Sequence, residues 1–351
     1  MVLMTVDHAS EMFNAGRFVT DAAFLYKTGT PLPILQFLIR WMTHLCAPTF
    51  VFLAGTSLAL SSEKRLKAGE SAASISRSIL IRGLLIAALD PLWMSWAFTP
   101  GRILLQVLFA IGMSFVCMVP LRRLGNVPFA GLALAFMVFG EALTGALLRL
   151  FGGTMPLPVA VLLSGGVFGK LIIGYPLFPW LAVMILGWVF GRCLLHQNPK
   201  PTRWLMTGGV LSLTIFVLVR GINGYGNLRL FRDDRSLAQW LHVSKYPPSL
   251  SFYSLELGLM ALVLSFFLRW QQGRKINSSG LLLVLGQTAF FFYLLHGHLL
   301  LLAAKSLGVT HQRGLPETFV ATAAVIGLLY PACRWYRRYK NAHPNGWARY
   351  I

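Results

Sequence analysis

Apolar runs of about 18 residues or more recur from one end of this chain to the other. Each could cross a hydrocarbon layer of about 30 Å, and in lipid a backbone must satisfy its own hydrogen bonds, so the runs have to be helices. Alternating ten-residue segments of the outer-membrane barrel kind are absent. Composition agrees: 56% of the 351 residues are hydrophobic and 12% are charged, against roughly 25% charged in a soluble domain. The fold class is all-α, a polytopic membrane helix bundle.

Ten membrane helices are expected, near 1–13, 32–62, 79–98, 103–124, 129–151, 175–195, 204–220, 250–270, 281–306 and 318–336. Between the fifth and sixth, "PLPVAVLLSGGVFGKLII" is apolar but interrupted by Pro156, Pro158 and Gly165-Gly166, which predicts a broken interfacial hairpin near 156–172. No repeat or linker divides the chain, so 1–351 reads as one domain. The net charge of +20 comes from bases between the apolar runs. It reads as topology signal and lipid anchor, with no nucleic acid partner. The densest connections hold Lys64, Arg65, Lys67 and Arg77; Arg122 and Arg123; Arg192, Lys200 and Arg203; Arg269, Arg274 and Lys275; the tail adds Arg334, Arg337, Arg338, Lys340 and Arg349. These belong on the cytoplasmic side, which puts both termini there. Cys46, Cys117, Cys193 and Cys333 are isolated, with no metal or redox spacing.

Ionisable residues at membrane depth mark function by default. In "TVDHASEMF", Asp7 and Glu11 are four apart and His8 and Glu11 three apart, so all three can share a helix face. A histidine oriented by a carboxylate is a ready general base. A solvated helix end would carry the same residues. Arg40 and His44 are one turn apart in the next helix; Arg40 reads first as a snorkel to the interface, and His44 is deeper. Arg102 and Gln106 are expected four apart on the opening of the fourth helix. Lys245 and Tyr246 precede Pro247-Pro248 at the start of the eighth. In "FFFYLLHGHL", His296 and His298 point about 200° apart, so they cannot share an ion and at most one faces inward; Tyr293 shares the face of His296. The topology brings His8, His44, Arg102, Gln106, Lys245, Tyr246 and His296 to one outer layer. On the other side, Arg77, Arg82, Arg122 and Arg123 could hold phosphates of an anionic donor, or simply anchor the helices.

The strings "MVLMTVDHASEMF", "THLCAPTFVFLAGTSLAL", "ILLQVLFAIGMS", "YPLFPWLAVMILGWVFGR", "SKYPPSLSFYSLELG" and "FFFYLLHGHL" together resemble the bacterial branch of the heparan-alpha-glucosaminide N-acetyltransferase catalytic-domain family, distantly similar to other membrane acyltransferases. The resemblance runs nearly end to end. It implies an integral membrane acyltransferase that moves an acetyl group from acetyl-CoA, without a metal, to an amino or hydroxyl group of a sugar or glycan at the extracytoplasmic face. It implies a bacterial inner-membrane location, with lipid around the chain and a homodimer left open. It maps a catalytic histidine onto His8, with Asp7 and Glu11 as partners; Arg40, His44, Arg102, Gln106, Lys245, Tyr246, Tyr293 and His296 then fall to the acceptor, and the four inner arginines to acetyl-CoA. Members usually carry a segment ending in Arg-Gly before "MVLMTVDH", so the first helix is expected to be truncated here. The alternative from composition alone is a transporter or permease for a small polar solute, although paired broken repeats of the transporter kind are not evident.

Overall fold

The computed structural model describes residues 1–196, 200–274, 277–343 and 346. Lys275 and Arg349, counted above among the inner bases, lie outside them. Proline and glycine decide where the long apolar runs break. Helix α1 spans Val2–Phe13. The next run divides into α2, Ile34–His44, and α3, Cys46–Lys67. Pro48 lacks an N–H, so the carbonyl of His44 loses its helical partner where the break occurs. A third run comprises α4, Ala72–Leu89, a π-helical turn at Asp90–Met94, and α5, Ser95–Phe98; Pro91 sits inside the π turn.

A short strand β1, Ile103–Leu105, precedes α6, Val107–Leu121. This corrects the sequence expectation of a helix from residue 103. Residues 102–106 are not helical, so Arg102 and Gln106 are not one turn apart. Gly101 turns the chain at φ 81°, and the segment instead pairs with a strand. After α7, Asn126–Leu150, the expected broken segment forms α8, Leu157–Val159, a π turn at Ala160–Ser164, and a β-hairpin of β2, Gly166–Phe168, and β3, Leu171–Ile173. The strand order is β1-β3-β2, with β1 parallel to β3 (Ile103 opposite Leu171) and β2 antiparallel to it. The chain continues through α9, Leu177–His196, and α10, Pro201–Ile222. It then forms α11, Leu237–Leu241, and α12, Leu250–Gln271. It ends with α13, Leu281–Gln287, α14, Ala289–Ser306, and α15, Leu315–Ala342.

Among the described residues, 8 spans are long and apolar enough to cross a membrane: α2 with α3, α4 to α5, α7, α9, α10, α12, α14 and α15. This is an integral membrane helix bundle. Helices α1 and α6, also expected to span, have 12 and 15 residues.

Helix α9 is the buried centre. Where it crosses α3, a Cβ on Gly187 would lie 1.9 Å from the Phe52 carbonyl oxygen and one on Gly55 would lie 2.2 Å from that of Met184. Only glycine permits this approach; with no hydrophobic drive between helices in lipid, such close backbone packing is what holds them. Gly83 and Gly112 do the same for α4 and α6.

Contacts between connections sort to two ends. At one, Arg122 Nη2 donates to Ala72 O at 3.0 Å, Arg192 Nη1 to Asn126 Oδ1 at 3.0 Å, and Arg337 Nη1 to Ser278 O at 2.6 Å. These are the base-rich turns. At the other end, Lys245 N donates to Asp21 O at 2.7 Å, and Arg313 N to Phe13 O at 2.8 Å. There Arg220, completely buried, organises the long connection after α10. Its five N–H groups reach Trp240 O (3.1 Å), Asn227 Oδ1 (2.8 Å), Leu230 O (2.9 Å), His242 O (2.9 Å) and Gln239 O. That is the full donor capacity of a guanidinium.

Candidate functional site

A cavity of about 310 Å³ opens at the end that carries the Arg220-ordered connection. The helical period presents Met4, Asp7, His8 and Glu11 of α1 to it, while Thr5, Ala9 and Met12 pack behind. The break between α2 and α3 contributes Arg40, Thr43, Cys46, Ala47 and Phe50. The sheet adds Leu104, Gly166, Val167, Ile172 and Ile173. The long connections bring Arg17 and Leu25 from one side, Lys245 and Tyr246 from the other.

Two buried networks shape its floor. The first is a histidine pair. His8 Nδ1 lies 2.6 Å from His296 Nε2, with the rings stacked at 4.9 Å. His296 Nδ1 faces two backbone carbonyls, Tyr293 O at 2.7 Å and Phe292 O at 3.2 Å. Carbonyls only accept, so His296 Nδ1 carries hydrogen and Nε2 is the acceptor. His8 Nδ1 must then donate, and the lone pair of the His8 ring is left on Nε2. The sequence pairing of His8 with Asp7 or Glu11 as its orienting carboxylate is replaced: His296 holds the ring.

The second network is ionic. Arg40 donates through Nη1 to Asp7 Oδ1 (2.6 Å) and Oδ2 (2.8 Å), and through Nε and Nη2 to Asp21 Oδ2 (3.0 and 2.5 Å). Arg17 Nη1 reaches Asp7 Oδ1 at 2.9 Å, and its Nη2 lies 3.7 Å from Glu11 Oε2. Arg40 is therefore not a snorkelling side chain; it is buried between two carboxylates. His44 Nε2 lies 3.3 Å from Asp21 Oδ1. Burial alone would raise the Asp21 carboxyl, but Arg40 and His44 more than offset this and hold it below the usual carboxylate range. His44 thus braces Asp21 from behind and does not line the cavity.

Of the other residues singled out in the sequence, Gln106 and Tyr293 line the cavity, and His296 stands behind His8. Arg102 is exposed in the turn before β1 and does not line it. His298, which the 200° separation keeps from sharing a site with His296, packs on Trp93 at 4.3 Å. The inner arginines do not converge. Arg122 is engaged with Ala72 and Ser76. Arg77 and Arg123 are exposed. Arg82 alone lines a second cavity, of about 420 Å³, with mostly apolar walls. Phe50, Val107 and Tyr293 line both cavities, so the two adjoin. Among the described residues no group of three His, Cys, Asp or Glu side chains could hold a metal ion.

Sequence reasoning missed Arg17 and Tyr175 at the cavity, Asp21 in the network beside it, and two buried acids. Asp90, in the π turn, accepts from Gln106 N (2.8 Å) and Phe109 N (2.7 Å), so it caps α6 from a neighbouring helix. Glu256, in α12, is 1% exposed and its Oε1 has no partner among the described residues. Both lie in apolar runs, so the rule that marks intramembrane ionisable groups would have found them. No helical spacing betrays Arg17, which lies past the end of α1 from its partners Asp7 and Glu11, or Asp21, whose partner Arg40 is 19 residues away.

Residues 12–220 match the model of the family described as heparan-alpha-glucosaminide N-acetyltransferase, catalytic. That stretch is more than half of the chain. The chain belongs to this family. No curated protein matches it in a sequence search. Membership of the heparan-alpha-glucosaminide N-acetyltransferase catalytic family makes this a membrane protein of acetyltransferase type. The matched stretch includes Arg17, Asp21 and Arg40 of the ionic network, while Asp7, His8, Lys245 and His296 lie outside it, so the placing of those four rests on geometry.

Proposed function

We propose that this protein transfers an acetyl group from acetyl-CoA to an amino or hydroxyl group of a sugar, with His8 as general base. The observation that carries the reading is the tautomer chain from the Tyr293 carbonyl through His296 to His8, which leaves a lone pair on a residue lining the cavity. In the reaction the acceptor nitrogen or oxygen attacks the thioester carbonyl. His8 Nε2 takes the proton, the C–S bond breaks as the tetrahedral intermediate collapses, and the thiolate of CoA leaves and takes up a proton. Lys245, Gln106 and Tyr246 are the donors placed to meet the oxyanion or the acceptor. Asp7 and Glu11, both engaged by Arg17, hold the floor and take no proton.

The donor comes from the base-rich end. The second cavity, with Arg82 in its wall and apolar faces suited to the pantetheine arm, adjoins the first at Phe50, Val107 and Tyr293. On this reading the His8 end faces away from the cytoplasm, both termini are cytoplasmic, α1 and α6 complete ten crossings, 1–351 works as one unit, and the membrane is the bacterial inner membrane. A permease reading gives the histidine pair no task.

The test is transfer of labelled acetyl from acetyl-CoA to amino sugars in membranes, with wild-type protein and His8→Ala. Loss of transfer in the variant, with acetyl-CoA binding retained, is expected. Undiminished transfer in His8→Ala would overturn the role of His8.

A further inference from the structure

The three carboxylates at or beside the polar cavity are held by two arginines. Asp7 holds Arg17 and Arg40, Asp21 holds Arg40, and Glu11 lies beside Arg17. Lys245 has no such partner. It is 3% exposed and lines the cavity, yet its Nζ meets no carboxylate within the 4.0 Å of an ion pair among the described residues; it lies 5.2 Å above the ring of Tyr246. Lys245 makes three cations against the three carboxylates, but its Nζ N–H groups make no hydrogen bond among the described residues and are open to a bound acceptor.

The mouth of the same cavity is apolar. Val19 (45%), Phe24 (69%), Leu25 (40%) and Val167 (59%) are all substantially exposed there. Trp96 of α5, exposed as well, is the aromatic type that settles at a membrane–water boundary. An acceptor wholly in water would meet a polar rim; this rim continues the lipid-facing surface into the cavity.

We propose that the acceptor is an anionic amphiphile of the adjoining leaflet, a sugar joined to a lipid through a phosphate, with the phosphate on Lys245 and the lipid leaving over Val19, Phe24, Leu25 and Val167. This rests on the acetyltransferase reading and specifies its acceptor. The sugar then reaches His8 from the side of the membrane, and the phosphate supplies acceptors for the Lys245 N–H groups that the protein leaves open.

The experiment uses the full chain in nanodiscs of neutral phospholipid. Acetyl transfer is compared for glucosamine, glucosamine 1-phosphate, glucosamine 1-phosphate esterified to a hexadecyl alcohol, and a soluble glucuronate–glucosamine disaccharide. The phosphate should raise kcat/KM by about tenfold or more, and the alkyl chain by a further factor of at least ten. Lys245→Met should collapse the ratio between phosphorylated and neutral sugars, and Phe24→Ser the ratio between lipid-linked and free phosphate. Equal rates for all acceptors, or a disaccharide as good as the lipid-linked sugar, would overturn the proposal. A binding arm separates this from the chemistry: hexadecyl phosphate, but not hexadecyl glucoside, should slow hydrogen exchange in 14–31 and 240–249, and Lys245→Met should abolish the effect. If no acceptor is acetylated while that protection is seen, the acetyltransferase reading falls and the anionic-amphiphile site stands; absence of the protection overturns the site.

Discussion

The two cavities differ in how they treat charge. The one beneath the long connections is wired. Each carboxylate is held by a guanidinium and His8 by His296, and the donors Gln106, Lys245 and Tyr246 sit in connections before α6 and α12 whose backbone is pinned by the Asp90 carboxylate and the Asp21 carbonyl. The one beside Arg82 is nearly bare: one charged side chain in an apolar wall, with its Nε buried and unpartnered among the described residues. They meet at Phe50, Val107 and Tyr293. A site that performs proton transfer needs fixed orientation and paired charge before substrate arrives. A channel that passes a long flexible donor needs only walls and an anion hold. The contrast in wiring is what a division of labour between the two predicts.

The largest effect should fall on the wired side. His8→Ala should lower kcat/KM for acetyl transfer by about 10²–10⁴, the range for removal of a general base. His296→Ala should act through His8. The ring of His8 would lose its tautomer lock, kcat should fall more than KM changes, and the pH–rate profile should move. If His296→Ala altered KM alone, the wiring argument would fail.

Next is the ionic floor. Arg40→Met leaves Asp7 and Asp21 buried with fewer partners, and removing one member of a buried ion network typically destabilises by about 3–5 kcal/mol. A melting curve in detergent, or the yield of folded protein, reads this. Arg40→Lys should rescue only partly, since an ammonium cannot bridge two carboxylates with a guanidinium's fork. By contrast Arg82→Met, on the bare side, should leave stability within about 1 kcal/mol and raise the KM for acetyl-CoA by about tenfold. Equal stability losses in Arg40→Met and Arg82→Met would erase the distinction between the cavities.

How far the sequence announces each region follows from its physics. Long apolar runs report helices whatever they pack against, so the order of the helices and the broken hairpin were legible. The π turn at Asp90–Met94 and strand β1 were not, because both depend on partners elsewhere: Ile103 pairs with Leu171, and Asp90 caps a helix 16 residues on. At the site, Asp7, His8 and Glu11 were legible because helical spacing alone puts them on one face. His296 was legible as a residue of the outer layer on the face of Tyr293, with at most one of it and His298 turned inward. Its bond to His8 spans 288 residues, and Arg40 looked like a snorkel because Asp21 is 19 residues away in a connection without periodicity. Charge pairing across helices is written in no local window.

The smallest expected effect separates two anchors of the connections that cover the wired cavity. Asp21 anchors one through Arg40. Its carboxyl is lowered in the fold from an ordinary 3.8, so its stabilisation is complete above that pH and declines only as pH falls below it. His242 anchors the other: its Nε2 donates to Thr20 O at 2.8 Å, while Nδ1 is buried without a partner among the described residues. Burial lowers its imidazole from an ordinary 6.5, partly opposed by the bond to Thr20. Here the folded chain binds fewer protons than the unfolded one, so stability is greatest above 6.5 and falls as pH drops below it, by at most about 1.4 kcal/mol per pH unit. Between pH 7 and pH 5, then, amide protection factors, with the fall in intrinsic base-catalysed exchange divided out, should drop in 236–246 while those of α9 and the residues around Arg82 stay unchanged, and His242→Gln should remove the dependence. A uniform drop in protection on both sides would mean that the cover of the wired cavity is not a separate unit, and that its charges are held in place by the bundle alone.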